Sequence, residues 1–230
     1  MSHIGEEIIN LTVWILPVVI GVTMHEAAHG YVARLFGDMT ATHMGRVTLN
    51  PFKHIDPFGT VILPALCLLM PGGGFLFGYA KPVPVNFRAL RPLRPAIVAV
   101  AVAGPGMNVL LAFISLLLWH LLPATPSVGA LWIAQNLDNS AYLNVVLAVV
   151  NMLPLPPLDG GRVAVAILPR PLSTRLASLE GKGILILVLL VFVLPMVAAK
   201  FGHDWNVFRY IVGVPAQWLH DVLARLARVG

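Results

Sequence analysis

Two uncharged apolar runs, Pro95 to Leu122 and Gly183 to Ala199, limit what this chain can fold into more than any other feature. Both are near the ~20 residues needed to cross the hydrocarbon core of a bilayer. Inside lipid, backbone polar groups are satisfied only within a helix or a closed barrel. The composition agrees: 58% of the 230 residues are hydrophobic and 11% are charged, against roughly 25% charged in a soluble domain. No stretch is long and polar enough to form a separate soluble unit, so residues 1–230 read as a single membrane-embedded domain. The formal charge of +5 is spread over short loops between apolar runs, which suits membrane topology and excludes a nucleic-acid face. Cys67, the one cysteine, lies in an apolar segment, so any metal must be held by histidine and carboxylate. Glu6 and Glu7 stand where a cleavable signal would be basic, so mature protein is expected from the start.

The expected fold is an all-α integral-membrane, polytopic helix bundle with about four to six transmembrane segments. Its first span runs from about Ile8 to Phe36 and contains Pro17; Ala96 to Leu122 is the clearest span. Pro123 to Ser140 reads as a loop without Lys or Arg, Ala141 to Leu158 as a third span and Gly183 to Ala199 as a fourth. Val207 to Val229 is either a weak further span or an interfacial helix. Basic residues cluster in Arg34 to Lys53, Lys81 to Arg94 and Arg162 to Lys182, which marks those loops as cytoplasmic. With Lys53 and Arg91 on one side, the Gly- and Pro-rich Phe58 to Tyr79 must enter and return as a re-entrant segment between the first two core helices. Irregular backbone at that depth requires cover by protein or a water-filled cavity. Lys81-Pro82-Val83-Pro84-Val85-Asn86-Phe87 reads as extended, either a passive connector or an edge that pairs with an extended peptide.

Three ionisable residues, His25, Glu26 and His29, interrupt the first span. A charge at the centre of a membrane helix costs roughly 2.5 to 3.5 kcal/mol on insertion scales, so they need a compensating reason. They spell HExxH. Four residues of helix bring the two imidazoles onto nearly the same face, where they can converge on one zinc ion. Glu26 projects away from that face, close enough to take a proton from metal-bound water. Catalytic zinc has three protein ligands, so another is needed from elsewhere. Val32 and Leu35 occupy the positions where a metzincin would have glycine and histidine, and no glutamate follows before Glu180. Among His43, His54, Asp38, Asp56, Asp138 and Asp159, only Asp159 closes a membrane span, after the break at Pro154, Pro156 and Pro157. It is the preferred third ligand, and its alternative role is to N-cap a short helix starting at Gly160. His54 and Asp56 could line the site but better suit a turn beside the headgroups, and Asn108 in its Gly-Pro-Gly setting suits helix packing rather than chemistry.

Four motifs together resemble the site-2 protease family of intramembrane metalloproteases, in its compact bacterial branch without PDZ or CBS domains. They are His25-Glu26-Ala27-Ala28-His29-Gly30, Gly45-Arg46-Val47-Thr48-Leu49-Asn50-Pro51, Ala103-Gly104-Pro105-Gly106-Met107-Asn108, and Asn151 to Gly161, which reads NMLPLPPLDGG. The resemblance covers about Ile8 to Pro169. It implies Zn2+ held by His25, His29 and Asp159, Glu26 as base and later acid, and Asn151 holding substrate backbone or the oxyanion. It further implies transmembrane protein substrates, cut within the lipid bilayer of a bacterial cell membrane. The rival class is a metal transporter or metal-binding receptor built on the same ligands, which would have no use for a base beside them. Transporters also often carry duplicated halves, and no second HExxH half is present.

Overall fold

The structure, a computed structural model, describes residues 3–54, 56, 81–123, 125, 127–202 and 205–228, with side chains from residue 12 onward apart from residue 192. Among these residues the regular elements are all helical. The expected re-entrant stretch Phe58 to Tyr79 lies outside them. Its flanks, however, meet: the Lys81 N–H donates to the His54 carbonyl at 2.9 Å.

Helix α1, His3–Leu35, carries Pro17 within it. Proline has no N–H to give the carbonyl four residues back, which strands the Val13 oxygen. Asn139 of a neighbouring helix donates to that oxygen at 3.1 Å, so an interhelical contact replaces the lost rung. The helix ends where Gly37 takes φ +96. The Asp38 N–H then reaches back to the Ala33 carbonyl and the Gly37 N–H to that of Arg34, a Schellman stop that needs a residue comfortable in the left-handed region.

Helix α2, Leu93–Trp119, matches the clearest span of the sequence. Helix α3 runs Val128–Asn151, which corrects the expectation of a loop over Pro123 to Ser140 and a span over Ala141 to Leu158. Ser127 caps the helix by accepting the Ala130 N–H. The polar run that suggested a loop is absorbed in two ways. Asn136 and Asn144 donate to carbonyls one turn back, and Asn139 reaches α1. What was read as the end of a span, Met152 to Leu158, is a proline-rich turn leading into α4, Asp159–Ile167, and α5, Arg170–Ala177.

Helices α1, α2 and α3 pack pairwise and form the body of the molecule, with α4 against α2. The buried contacts alternate alanines, which let helices come close, with a few leucines and valines. One core holds Ala112, Leu116, Ala141, Val145, Ala216 and Leu223; another holds Ala33, Leu90, Ala96 and Val100. The first shows that the C-terminal helix α7, Val214–Leu226, packs on α2 and α3. Helix α6, Gly183–Lys200, is like α2 long and apolar enough to cross a membrane, and among the described residues no other helix is. Both α6 and α7 include or follow a π-helical turn, Leu189–Val193 before Pro195 and Arg209–Gly213 before Pro215. A wider turn there spares the proline ring a collision with the carbonyl four residues earlier.

Candidate metal centre

The two histidines sit one turn apart on α1, with ring Nε2 atoms 3.1 Å from each other. Their other nitrogens are already engaged. His29 Nδ1 lies 2.7 Å from the Val100 carbonyl, an atom that can only accept, so Nδ1 carries the proton. His25 Nδ1 lies 2.6 Å from Asn108 Oδ1. The Asn108 amide orientation follows from its Nδ2, which donates to Asn144 Oδ1 at 2.7 Å and to the Gly21 carbonyl at 3.3 Å. His25 Nδ1 is therefore a donor too. With both rings neutral, both Nε2 atoms present bare lone pairs into the same space.

Asp159 brings a third. Its Oδ2 is 3.4 Å from His25 Nε2 and 3.2 Å from His29 Nε2, and it has no hydrogen-bond partner among the described residues. Asp159 is the first residue of α4, whose N-cap is Leu158 without a side-chain bond, so the aspartate does not serve as the helix cap. Three buried acceptors facing one another repel unless a cation lies between them. The spacing suits one. Four-coordinate bonds of about 2.0 to 2.1 Å place neighbouring donor atoms about 3.3 Å apart. Among the described residues, His25, His29 and Asp159 form a group able to hold a metal ion, and all three are buried.

Glycines make the room. A Cβ on Gly104 would collide with the His29 and His25 rings. On Gly160 or Gly161 it would run into the backbone of the Met152 to Pro156 turn, which wraps the start of α4 and so sets where Asp159 points. A Cβ on Gly21 would meet Asn144 Oδ1 at 3.0 Å. Helices α2 and α4 thus approach the site through positions where only hydrogen fits, and α1 meets Asn144 of α3 through a tight one.

The polar chain behind His25 continues through Asn108 and Asn144 to Ser140, which in turn meets Ser115 at 2.8 Å. Sequence reasoning assigned Asn108 to helix packing. It instead fixes the tautomer of His25, the outer-shell role that orients ring ligands in metal sites. The signal that could have found it was an amide alone in an uncharged span, one costly group answering another.

Glu26 is half-buried, and its Oε2 accepts the Val83 N–H at 2.7 Å. Asn151, by contrast, donates to the Leu147 carbonyl of its own helix. His54 does not join the metal group. It is buried in the turn that follows Pro51–Lys53, with Nε2 3.0 Å from the Thr48 carbonyl. Asp38 is also separate. It accepts N–H bonds from Thr40 and Asn86. Burial works against its ionised form, but bonds from the Thr40 hydroxyl and from the Thr40 and Asn86 amides outweigh it and hold the carboxyl below the usual range.

The model of Peptidase family M50 matches residues 129–196. The Bacillus subtilis protein named Putative zinc metalloprotease YwhC is 40% identical over 186 residues, covering 79% of this chain and 80% of its own length. Two proteins named Putative zinc metalloprotease Rip2 are each 29% identical. That of Mycolicibacterium smegmatis aligns with 83% of this chain and 69% of its own length, and that of Mycobacterium tuberculosis with 87% and 73%. No solved structure matches the chain. A buried His-His-Asp cluster beside a glutamate and an extended relationship to YwhC agree on one assignment: the chain belongs to Peptidase family M50, the site-2 protease family.

Proposed function

We propose that this chain is an intramembrane zinc metalloprotease that cuts transmembrane proteins, with His25, His29 and Asp159 holding Zn2+ and Glu26 as the general base and acid. The observation that carries the reading is the convergence of three buried lone-pair donors at 3.1 to 3.4 Å on the face of a helix that also bears Glu26. Bound zinc would lower the pKa of a water molecule to about 7 and polarise the scissile carbonyl.

The chain's own residues do the rest. Asn108 and the Val100 carbonyl hold the two imidazoles with Nε2 inward. Glu26, with Oε2 bound by the Val83 N–H, takes the proton at Oε1 and passes it to the leaving amine. Asn151, the last residue of α3 before the turn that leads to Asp159, is proposed to release its intrahelical bond and hold the substrate backbone. A transmembrane substrate must be unwound before its carbonyls are reachable, so helix-weakening residues near the cut are expected.

The proposed setting is a single domain of about four to six spans in a bacterial cell membrane, its basic loops on the cytoplasmic side. The meeting of His54 with Lys81 supports a segment that enters and returns between α1 and α2.

The test uses detergent-solubilised protein, a tagged single-span substrate and a chelator control. Glu26→Gln should retain about one zinc per chain, because no ligand is touched, yet lose cleavage by on the order of 10⁴-fold, the upper end for a residue that serves as both base and acid. Asp159→Ala should lose the zinc. A Glu26→Gln variant that holds zinc and cuts at the wild-type rate would sink the protease reading in favour of a transporter or receptor.

A further inference from the structure

The stretch Lys81-Pro82-Val83-Pro84, outside any helix, lies against Glu26, and prolines on both sides of Val83 leave its N–H as the one backbone donor between residues 82 and 84. That donor goes to Glu26 Oε2 at 2.7 Å. The stretch is tied down on every side. The Lys81 N–H donates to the His54 carbonyl at 2.9 Å, and the Asn86 N–H to Asp38 Oδ2 at 2.6 Å. Arg46 supplies the third tie, its Nη2 donating to the carbonyls of Lys81 at 2.8 Å and Pro82 at 3.3 Å. Those are the two carbonyls immediately before Val83.

Arg46 is 8% exposed although it carries a fixed charge, and the carbonyls it holds have no competing N–H in the Pro-Val-Pro unit. The packing beneath is tight. A Cβ on Gly30 would meet Val47 Cγ2 at 3.0 Å and Val83 Cγ1 at 3.2 Å, so the strap and the residue after Arg46 close together on α1. A charged side chain buried to hold two carbonyls is a costly device for a mere connector.

We infer that Arg46 is a positioning residue for Glu26: it holds the 81–83 strap so that the Val83 N–H fixes the Glu26 carboxylate toward the metal centre. This rests on the assignment of Glu26 as the base. It gives a task to the Gly45 to Pro51 motif, which touches none of the three metal-facing side chains in any hydrogen bond or ion pair described above. It also means that the Val83 N–H is committed to the enzyme's own glutamate and is not offered to a substrate strand.

Two measurements on the full-length, zinc-loaded protein in detergent decide it. The first is amide hydrogen exchange over 81–87, which needs no cleavage. Glu26→Ala should speed exchange at Val83 by about tenfold while Asn86, held by Asp38, stays protected; Arg46→Ala should do the same. Unchanged exchange at Val83 in either variant overturns the inference. The second is kinetic, with the tagged single-span substrate. Arg46→Ala should keep its zinc and its KM within about threefold but lower kcat on the order of 10²-fold, the cost of a misplaced catalytic group. Arg46→Lys, which restores a charged donor to the carbonyls, should recover part of the loss. A change in KM alone would make Arg46 a substrate-binding residue, a rise in kcat would make the strap a latch that inhibits, and an unchanged kcat would leave no positioning role; each overturns the inference. A wild-type protein with the expected exchange pattern that cuts nothing would instead refute the protease reading and leave the strap standing.

Discussion

Among the described residues, helices α2 and α6 are long and apolar enough to cross a membrane, yet 33% of the apolar stretch of α2 is buried inside the molecule and only 12% of that of α6. Helix α2 buries Gly104, Pro105, Asn108 and Ser115 along one side. Gly183 and Ala198 are the buried residues that α6 shows among those described, and Ile184, Leu185, Met196 and Val197 are exposed. Hydropathy marks both as membrane-competent and cannot tell them apart. What separates them is the interruption of the apolar run by very small and by amide or hydroxyl residues. An amide in lipid is expensive unless another protein group satisfies it, so its presence reports a neighbour.

The comparison breaks most sharply at Gly104. Gly104→Val should abolish zinc binding, because the added carbons occupy the space of the His25 and His29 rings; elemental analysis of purified protein would read the loss. A variant with full zinc would mean that α2 does not press on the metal centre as described. A smaller effect is expected at Asn108. Asn108→Leu removes the acceptor for the His25 Nδ1 proton and should weaken zinc by about 10- to 100-fold in competition with a chelator, the usual cost of losing an outer-shell partner. Asn108→Asp keeps an acceptor and should retain most of the affinity, whereas equal losses in both variants would reduce Asn108 to a packing residue. The smallest effect belongs to α6. Leu190→Ala, on its exposed side, should leave zinc stoichiometry and cleavage unchanged and move stability by no more than about 0.5 kcal/mol, as for positions without a packed partner. A larger loss would show that α6 packs on something and that the contrast with α2 is overdrawn.

How far the sequence alone reached can be judged residue by residue. Pro82 and Pro84 kept helix out of the stretch that follows Lys81, and uncharged apolar runs located α2 and α6. The loop expected over Pro123 to Ser140 failed because polarity was taken for irregular backbone. Asn136, Asn139 and Ser140 are helical residues whose side chains bond within α3 or to its neighbours, and no local pattern distinguishes that from a solvated loop. The same limit explains Asn108, whose partner His25 is 83 residues away.

What the sequence determined by itself was local and periodic. His25 and His29 share a helical face because four residues make just over one turn, an apolar run needs a helix in lipid, and a proline pair around Val83 leaves one backbone donor between them. The tertiary structure alone decided which groups from distant parts of the chain meet. Asp159 reaches the imidazoles because Gly160 and Gly161 let the proline turn wrap the start of α4, and Val83 reaches Glu26 because Arg46, His54 and Asp38 tie the strap down. The reason is physical. Helical periodicity relates residues within a few positions of one another, whereas the pairing of a carboxylate with an amide 57 residues later depends on which helix faces close against each other, and that is fixed by packing volume and by the cost of leaving a buried polar group alone.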